Sequence, residues 1–156
     1  MCNSENHDFY NWFAGFVDGE GHFGIYRQRG RKTTFTSHTK FQFRIKLRDD
    51  DVAILEEIKN RLGFGNVYKV AINECRAALK NSKPQAAFQT CSIRDSIKLV
   101  KILDEHGMRS KKRRDYEIWR RAVLLCEDIH SSVYENFENL SEELSSVRKY
   151  SHTVGA

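Results

Sequence analysis

Residues 12–24 read WFAGFVDGEGHFG, and this stretch decides the fold. Apolar residues recur at helical spacing in its first half, which predicts a helix with Asp8 as its N-terminal cap, running to about Asp18. Two glycines, Gly15 and Gly19, lie four residues apart in this helix. Glycine inside a helix costs about 1 kcal/mol relative to alanine, so the pair needs a physical reason. Close approach of a second helix is the reason that fits, because small residues four apart let two helix backbones meet.

An acidic turn, Asp18 to Gly21, closes the helix and leads at once into an alternating strand. The turn brings the carboxylate of Glu20 to the mouth of the expected seam between two helices. A charged group is costly at such a place unless a cation or a reacting group lies beside it. Glu20 is therefore the first candidate for a functional residue.

The nine residues from Phe13 to Gly21 resemble the signature of the LAGLIDADG homing endonucleases. The outright matches are Ala14, Gly15, Asp18 and Gly21. Phe13, Phe16 and Val17 exchange one apolar residue for another, Gly19 is a small-for-small change, and Glu20 stands where the family has its last acid. The alternative for so short a motif is an ordinary amphipathic helix closed by a glycine turn. The rest of the chain has to decide between the two.

Length and composition predict a single folded domain, 1–156, with a core over about 8–130 and a helical tail over 131–156. The net charge of +5 favours a polyanionic partner, with a membrane surface as the weaker option. No apolar run is long enough to span a bilayer, and the N-terminus has no signal-peptide core. The sequence thus predicts no membrane partner and an intracellular location, in a bacterial cytoplasm or an organelle matrix. The four cysteines and six histidines are scattered, which predicts free thiols and no zinc site.

The period changes from helical to alternating at His22. Strands are expected over 22–29 and 33–48, joined by a turn at 30–32. The second strand puts Phe41, Phe43, Ile45 and Leu47 on one face and Lys40, Gln42, Arg44, Lys46 and Arg48 on the other. From His22 to Arg48 there are eight Lys or Arg and no Asp or Glu. A charge run is usually only a solvated face, but this face also carries side chains that can reach base edges as well as phosphates.

Further elements follow along the chain in the same way. A helix is expected to start at 49–51, to bury Val52, Leu55, Ile58 and Leu62, and to end at Gly63. A hairpin of strands 66–72 and 85–92 follows, and then a helix over 93–106 that is closed by Gly107. After a basic stretch over 108–114 come a helix with Tyr116, Trp119, Val123 and Cys126 and a last amphipathic helix with Leu140, Leu144 and Val147. The polar connection 73–84 fits a loop along a nucleic-acid backbone and a tolerated surface insertion equally well.

These elements predict an α+β fold in the order α-β-β-α-β-β-α(-α), with a four-stranded antiparallel sheet and helices on one of its faces. The other face stays open, and a basic concave sheet of this kind can track the major groove of DNA. The resemblance to the LAGLIDADG homing-endonuclease fold implies the same element order, and the agreement extends from Asp8 to about Ile129.

The resemblance also implies the chemistry and the assembly. Chains with one signature form homodimers, whose signature helices pack together, and the last acid of each helix lies beside a scissile phosphate. Glu20 would then bind Mg²⁺ with help from the carbonyl of Gly19, and Asp18 would be structural, bonding turn amides. Mn²⁺ could substitute, and Ca²⁺ is expected to bind without supporting cleavage. The dimer interface expected from the resemblance comprises Phe13, Gly15, Phe16 and Gly19.

Two further catalytic candidates come from the resemblance. The family places a lysine near the start of a later helix, and Lys111 fits that spacing best, with Lys112 one step away. The alternative for 109–114 is a simple phosphate-binding patch. The family often has a glutamine at the end of the second strand, where this chain has Leu47 and then Arg48. Since Leu47 belongs to the apolar face, Arg48 is the better replacement.

The residues expected to contact double-stranded DNA lie on the open sheet face and in the basic turn. They are Tyr26, Gln28, Arg29, Arg31, Lys32, His38, Lys40, Gln42, Arg44, Lys46, Tyr68 and Gln89. The resemblance therefore implies a site-specific homing endonuclease that cuts both strands of a long, near-palindromic DNA site, as the two-fold symmetry of a homodimer requires. The alternative is a relative that binds DNA or RNA without cutting it, as a transcription regulator or an intron maturase. The acid at Glu20 favours the enzyme, because binding-only relatives commonly lose it.

Overall fold

The computed structural model describes residues 2–28, 38–70, 83–127 and 133–150. The elements in chain order are α1 (Cys2–Glu20), β1 (Gly21–Gln28), β2 (His38–Arg48), a 3-10 turn (Asp49–Asp51), α2 (Val52–Leu62), β3 (Asn66–Val70), β4 (Gln85–Thr90), α3 (Ile93–His106), α4 (Lys112–Glu127) and α5 (Val133–Tyr150). The predicted turn at 30–32, the start of the second strand at 33–37 and residues 73–82 of the long connection lie outside the described residues.

The four strands form one antiparallel sheet in the order β1-β2-β4-β3. In its register, Gly21 faces Ile45, Phe43 faces Thr90, and Asn66 faces Gln89. The second hairpin therefore joins the sheet through β4, and β1 and β3 are its edges. This architecture confirms the predicted fold class and element order.

The core lies between one face of the sheet and the helices. Phe43, Ile45 and Phe88 are fully buried on that face, and Phe13 of α1 and Trp119 of α4 are fully buried against it. These side chains alternate along the strands because successive residues of a strand point to opposite faces. The predicted apolar face of β2 is confirmed, with Leu47 at its end only partly buried.

Glycine ends the two helices where it was predicted to do so. Gly63 has φ 72° and its N–H donates to the carbonyl of Lys59 at 2.9 Å, while Gly107 has φ 71° and donates to Leu103 at 2.9 Å. Glycine adopts a positive φ without the steric cost that a Cβ brings. Before α3, Ser92 caps the helix by accepting from the N–H of Asp95, so β4 ends at Thr90 and not at Ser92 as predicted.

The predicted start of α1 is wrong. The helix begins at Cys2, and Asp8, the expected cap, is an exposed residue inside it. A contact with another helix stabilises the extra turns, because the guanidinium of Arg61 in α2 donates to the carbonyl of Glu5 at 2.9 Å. The same guanidinium lies over the ring of Phe9, 4.9 Å from its centroid.

Candidate active site and nucleic-acid interface

The corner between α1 and β1 holds Glu20 at the surface. The helix ends at Glu20 and the strand begins at Gly21, with no residue between them. A Cβ on Gly21 would lie 2.6 Å from the carbonyl oxygen of Val17 and 2.8 Å from its side chain. Only glycine allows so abrupt a change from helix to strand here, and this turn leaves the Glu20 carboxylate exposed.

Asp18 anchors a distant loop to this corner. One of its carboxylate oxygens accepts from the backbone N–H of Arg109 at 2.9 Å, and both accept from the N–H of Ser110, at 3.0 and 2.9 Å. The Ser110 hydroxyl donates in turn to the Asp18 carbonyl at 3.0 Å. Burial raises the pKa of Asp18, but the hydrogen bonds from Ser110 and Arg109 and the charge of Lys112 outweigh it, so the pKa lies below its usual value. The amides that Asp18 binds belong to this loop and not to its own turn.

Lys111 lies next to the anchored loop. It directly follows Ser110, its side chain is exposed, and its carbonyl accepts from the N–H of Arg114 in the first turn leading into α4. The hydrogen bonds of Asp18 to Arg109 and Ser110, which we call the Asp18 clamp, therefore bring the chain around Lys111 to the end of the helix that carries Glu20. The family resemblance suggested both residues, and the long-range hydrogen bonds of Asp18 explain how the segments that carry them meet.

Arg48 lies further along the sheet. Since Gly21 faces Ile45, the backbone of Arg48 is three residues, about 10 Å, past the position opposite Gly21. Its guanidinium is 2.7 Å from the carboxylate of Asp50, and both side chains are exposed. A catalytic role for Arg48 stays a prediction.

His22 was not singled out by the sequence analysis. It is the first open-face residue of β1, two positions after Glu20, and its Nε2 lies 3.5 Å from the Tyr26 hydroxyl. Burial, followed by the positive charges of Arg148, Arg44 and Lys112, lowers the pKa of His22 to about 4. The imidazole is therefore neutral at pH 7. The signal available in the sequence was its place in the strand alternation, immediately after the acidic turn.

The sheet register brings the predicted DNA-contacting residues to one face. Across neighbouring strands, Tyr26 faces Lys40, Arg44 faces Gln89, and His22 faces Arg44. Seven of the predicted residues whose side chains the structure describes lie on this face: Tyr26, Lys40, Gln42, Arg44, Lys46, Tyr68 and Gln89. Gln28 and His38 pair at the end of the hairpin and share the face by register, but their side chains are not described. Arg29, Arg31 and Lys32 lie outside the described residues.

Contacts within the sheet hold the side chains of two tyrosines on this face. A Cβ on Gly24 would lie 2.4 Å from the ring of Tyr26, so the ring lies over this glycine along the strand. At the other edge, the Tyr68 hydroxyl donates to the side-chain carbonyl of Gln89 at 2.6 Å. Tyr26 is 44% and Tyr68 39% exposed, so both rings remain accessible above the sheet.

One side of α1 is apolar, small and exposed. Trp12 is 44% exposed and its ring stacks on Phe16, with the centroids 5.1 Å apart. Gly15 and Gly19 are exposed, and a Cβ on either would meet no atom within 4 Å. The close approach expected of these glycines is therefore not made by the described part of the same chain. We call Trp12, Gly15, Phe16 and Gly19 the α1 ridge.

Phe13 is a correction to the predicted dimer interface. Its side chain is fully buried in the core of its own chain, stacked on Phe9 and edge-on to Phe43. Trp12, which was not among the predicted interface residues, belongs to the α1 ridge, whereas Phe16 of the ridge is partly buried and also packs against the core.

Glu20 is an exposed carboxylate that could serve as a metal ligand. Within the described ranges, no group of three or more His, Cys, Asp or Glu could hold a metal ion. Mg²⁺ prefers one or two carboxylates and takes its remaining ligands from water and phosphate, so the exposed Glu20 fits an ion that substrate helps to bind.

No helix in the described part of the chain is long and apolar enough to span a membrane.

Comparisons with known proteins identify the family of the chain. A family model described as LAGLIDADG endonuclease matches residues 13–123. The chain is 28% identical over 149 residues to the probable intron-encoded endonuclease Cox1-I1b of Schizosaccharomyces pombe. That match covers 92% of this chain and 35% of the relative, so the chain spans about a third of that protein's length.

Solved structures share the fold. The archaeal intron-encoded homing endonuclease I-Vdi141I, complexed with DNA, has a TM-score of 0.73 at 20% identity, over 90% of this chain and 85% of that one. The homing endonuclease I-CvuI, in complex with its target in the presence of calcium, has a TM-score of 0.73 at 16% identity, over 93% and 85% of the two chains.

Proposed function

Because the chain belongs to the LAGLIDADG endonuclease family, we propose that it is a site-specific homing endonuclease acting on double-stranded DNA. It hydrolyses one phosphodiester bond in each strand of a long, near-palindromic site and depends on a divalent metal ion. The observation that carries this proposal is the corner where the exposed Glu20 carboxylate and the loop of Lys111 are tied together through Asp18.

The open face of the sheet is the proposed DNA-binding surface. Lys40, Arg44 and Lys46 supply positive charge for the phosphates, while Gln42 and Gln89 carry amides that can pair with adenine in the major groove. Tyr68 holds the Gln89 carbonyl through a hydrogen bond, which limits the orientations in which this amide can meet a base. The net charge of +5 adds a sequence-independent attraction to DNA.

The proposed metal ligands are the Glu20 carboxylate and the Gly19 carbonyl. When bound, Mg²⁺ supplies neutralisation of the phosphate charge and activation of water. Lys111 stabilises the negative charge that grows on the phosphate oxygens as the bond breaks. Arg48 is the weaker candidate for a supporting role, since Asp50 already engages its charge.

A second copy of the chain supplies the second active site. The exposed α1 ridge packs against the same ridge of its partner, and Gly15 and Gly19 let the helices come close. Two-fold symmetry then brings two Glu20 residues to the two strands and makes the preferred site near-palindromic.

The test is selection of cleaved sites from a randomised DNA library. We compare the parent with Glu20→Gln, in Mg²⁺ and in Ca²⁺, and use Glu105→Gln as a control that removes an exposed acid elsewhere. We expect sequence-specific double-strand cuts in Mg²⁺ by the parent and the control, and none by Glu20→Gln or in Ca²⁺. Specific binding without any cut by the parent would refute the enzyme and leave the regulator or the maturase. Cuts by Glu20→Gln at the parental rate would refute the role of Glu20.

A further inference from the structure

The C-terminal helix α5 packs along the outer edge of β1. Leu140 and Leu144 are buried against the core, and the hydroxyl of Ser141 donates to the carbonyl of Ile25 at 3.3 Å. Two residues earlier on the strand, the carbonyl of Phe23 accepts from the guanidinium of Arg148. An edge strand carries backbone groups that no neighbouring strand satisfies, and α5 covers two of them.

Arg148 also reaches a second element. Its Nε lies 3.4 Å from a carboxylate oxygen of Asp115, in the first turn of α4. The Asp115 side chain is only 16% exposed and that of Arg148 is 35% exposed, so the pair is partly shielded from solvent. A guanidinium carries five N–H donors in a rigid plane, which suits it to hold two acceptors at a set separation.

The two elements that Arg148 joins are those that follow the proposed catalytic residues. Phe23 lies three residues after Glu20, and Asp115 lies four residues after Lys111. Asp18 ties the same two segments together from the side of α1, through the amides of Arg109 and Ser110. Arg148 and Asp18 thus hold the corner at two points, one from α5 and one from α1.

We propose that Arg148 is a positioning residue for DNA cleavage and that α5 braces the active site through it. This inference rests on the proposed function. Arg148 sets the distance between Glu20 and Lys111 by holding the Phe23 carbonyl and the Asp115 carboxylate together. The rate of the chemical step depends steeply on such distances, since a misplacement of about 1 Å can cost on the order of 100-fold. Affinity for DNA depends on the charged open face of the sheet, most of which lies on β2 and does not depend on this brace.

The chain offers a matched control in Arg121. Its guanidinium lies 2.7 Å from the carboxylate of Glu143, so this pair also joins α4 to α5. Neither Arg121 nor Glu143 has a hydrogen bond to β1 or to the first turn of α4 among the described contacts. Arg121→Gln therefore loosens the same pair of helices without releasing the corner.

The first measurement separates cleavage from binding. We compare the full-length parent, Arg148→Gln, Arg148→Lys and Arg121→Gln in single-turnover cleavage with Mg²⁺ and in DNA binding with Ca²⁺. Arg148→Gln should lower the cleavage rate on the order of 100-fold while the dissociation constant changes by less than about 3-fold. Arg148→Lys keeps the charge but reaches one acceptor only, so its cleavage rate should lie between those of the parent and Arg148→Gln. This variant also allows the test if Arg148→Gln does not fold. Arg121→Gln should cleave at the parental rate. An equal loss in Arg121→Gln, or parallel losses of rate and affinity in Arg148→Gln, would overturn the proposal.

The second measurement does not need activity. Hydrogen exchange should speed up at residues 21–25 and at the amides of Arg109 and Ser110 in Arg148→Gln, and not in Arg121→Gln. If the parent cuts no DNA, the proposed function falls, and exchange alone decides whether Arg148 holds the corner. Unchanged exchange at these amides would sink the brace even in an active enzyme.

Discussion

Replacing Asp18 with asparagine tests the clamp between α1 and the loop before α4. The parent carboxylate accepts from two backbone amides, those of Arg109 and Ser110, at 2.9 to 3.0 Å. A hydrogen bond to a charged group contributes about 1.5–3 kcal/mol and one to a neutral group about 0.5–1.5 kcal/mol. Asparagine keeps one acceptor oxygen and presents an NH₂ group where the second one was. We therefore expect a loss of about 2 kcal/mol in the free energy of unfolding, or about 4–8 °C in Tm for a domain of this size.

The assay is urea unfolding of the parent and Asp18→Asn over a range of pH. The folded-state pKa of Asp18 lies below its ordinary value of 3.8, so the carboxylate stabilises the fold fully above that value. This stabilisation is lost as pH falls through the folded pKa, because the protonated acid no longer accepts with a full charge. The difference between the two proteins should therefore be constant from pH 7 to pH 5 and shrink below about pH 4.

A matched control is Asp50→Asn, the same change in an exposed ion pair with Arg48. Exposed pairs of this kind contribute between 0 and about 1 kcal/mol, so the control should lose less than Asp18→Asn. Equal unfolding midpoints for the parent and Asp18→Asn at pH 7 would refute the clamp. So would a difference that stays the same down to the lowest pH at which both proteins remain folded.

Three other predictions use different parts of the molecule. Gly65→Ala should lose about 1–3 kcal/mol in urea unfolding, since Gly65 has φ 84° and a Cβ there would lie 2.4 Å from the ring of Phe88. Gly15→Ala should gain about 0.5–1 kcal/mol in the monomer, because a Cβ there meets no atom within 4 Å, yet raise the dissociation constant of the dimer in sedimentation equilibrium. An unchanged dimer constant would contradict packing through the α1 ridge. The pKa of His22 falls from 6.5 to about 4 on folding, so its neutral form stabilises the fold above pH 6.5 and this contribution is lost as pH falls towards 4. In urea unfolding, the free energy of unfolding should fall by about 1–2 kcal/mol between pH 7 and pH 4.5 because of His22. This is less than the pKa shift alone would give, because the ring is partly open to solvent. The His22→Asn variant should lack this part of the pH dependence.

Sequence patterns with a local cause gave correct predictions. The alternation along residues 40–48 put Phe43 and Ile45 in the core, because each strand residue points opposite to its neighbours. Gly63 and Gly107 ended their helices because glycine tolerates the positive φ required there. The signature from Phe13 to Gly21 predicted the change from helix to strand to within two residues.

Errors arose where a contact joins distant parts of the chain. Asp8 was predicted to be a helix cap, but the helix starts at Cys2. Arg61 stabilises the extra turns through a hydrogen bond to the carbonyl of Glu5, which lies 56 residues earlier in the chain. Phe13 was assigned to the dimer interface because a signature does not say which side of its helix the core covers. The structure buries Phe13 and exposes Trp12.

By itself, the sequence determined the element order and the two faces of the sheet, because these follow from the spacing of neighbouring residues, and one nine-residue signature made Glu20 the candidate acid. Only the tertiary structure decided what surrounds Glu20. Asp18 binds amides 91 and 92 residues away, and Arg148 reaches the Phe23 carbonyl across 125 residues. Contacts at such separations depend on how whole helices and strands pack, and no local pattern of side chains encodes them.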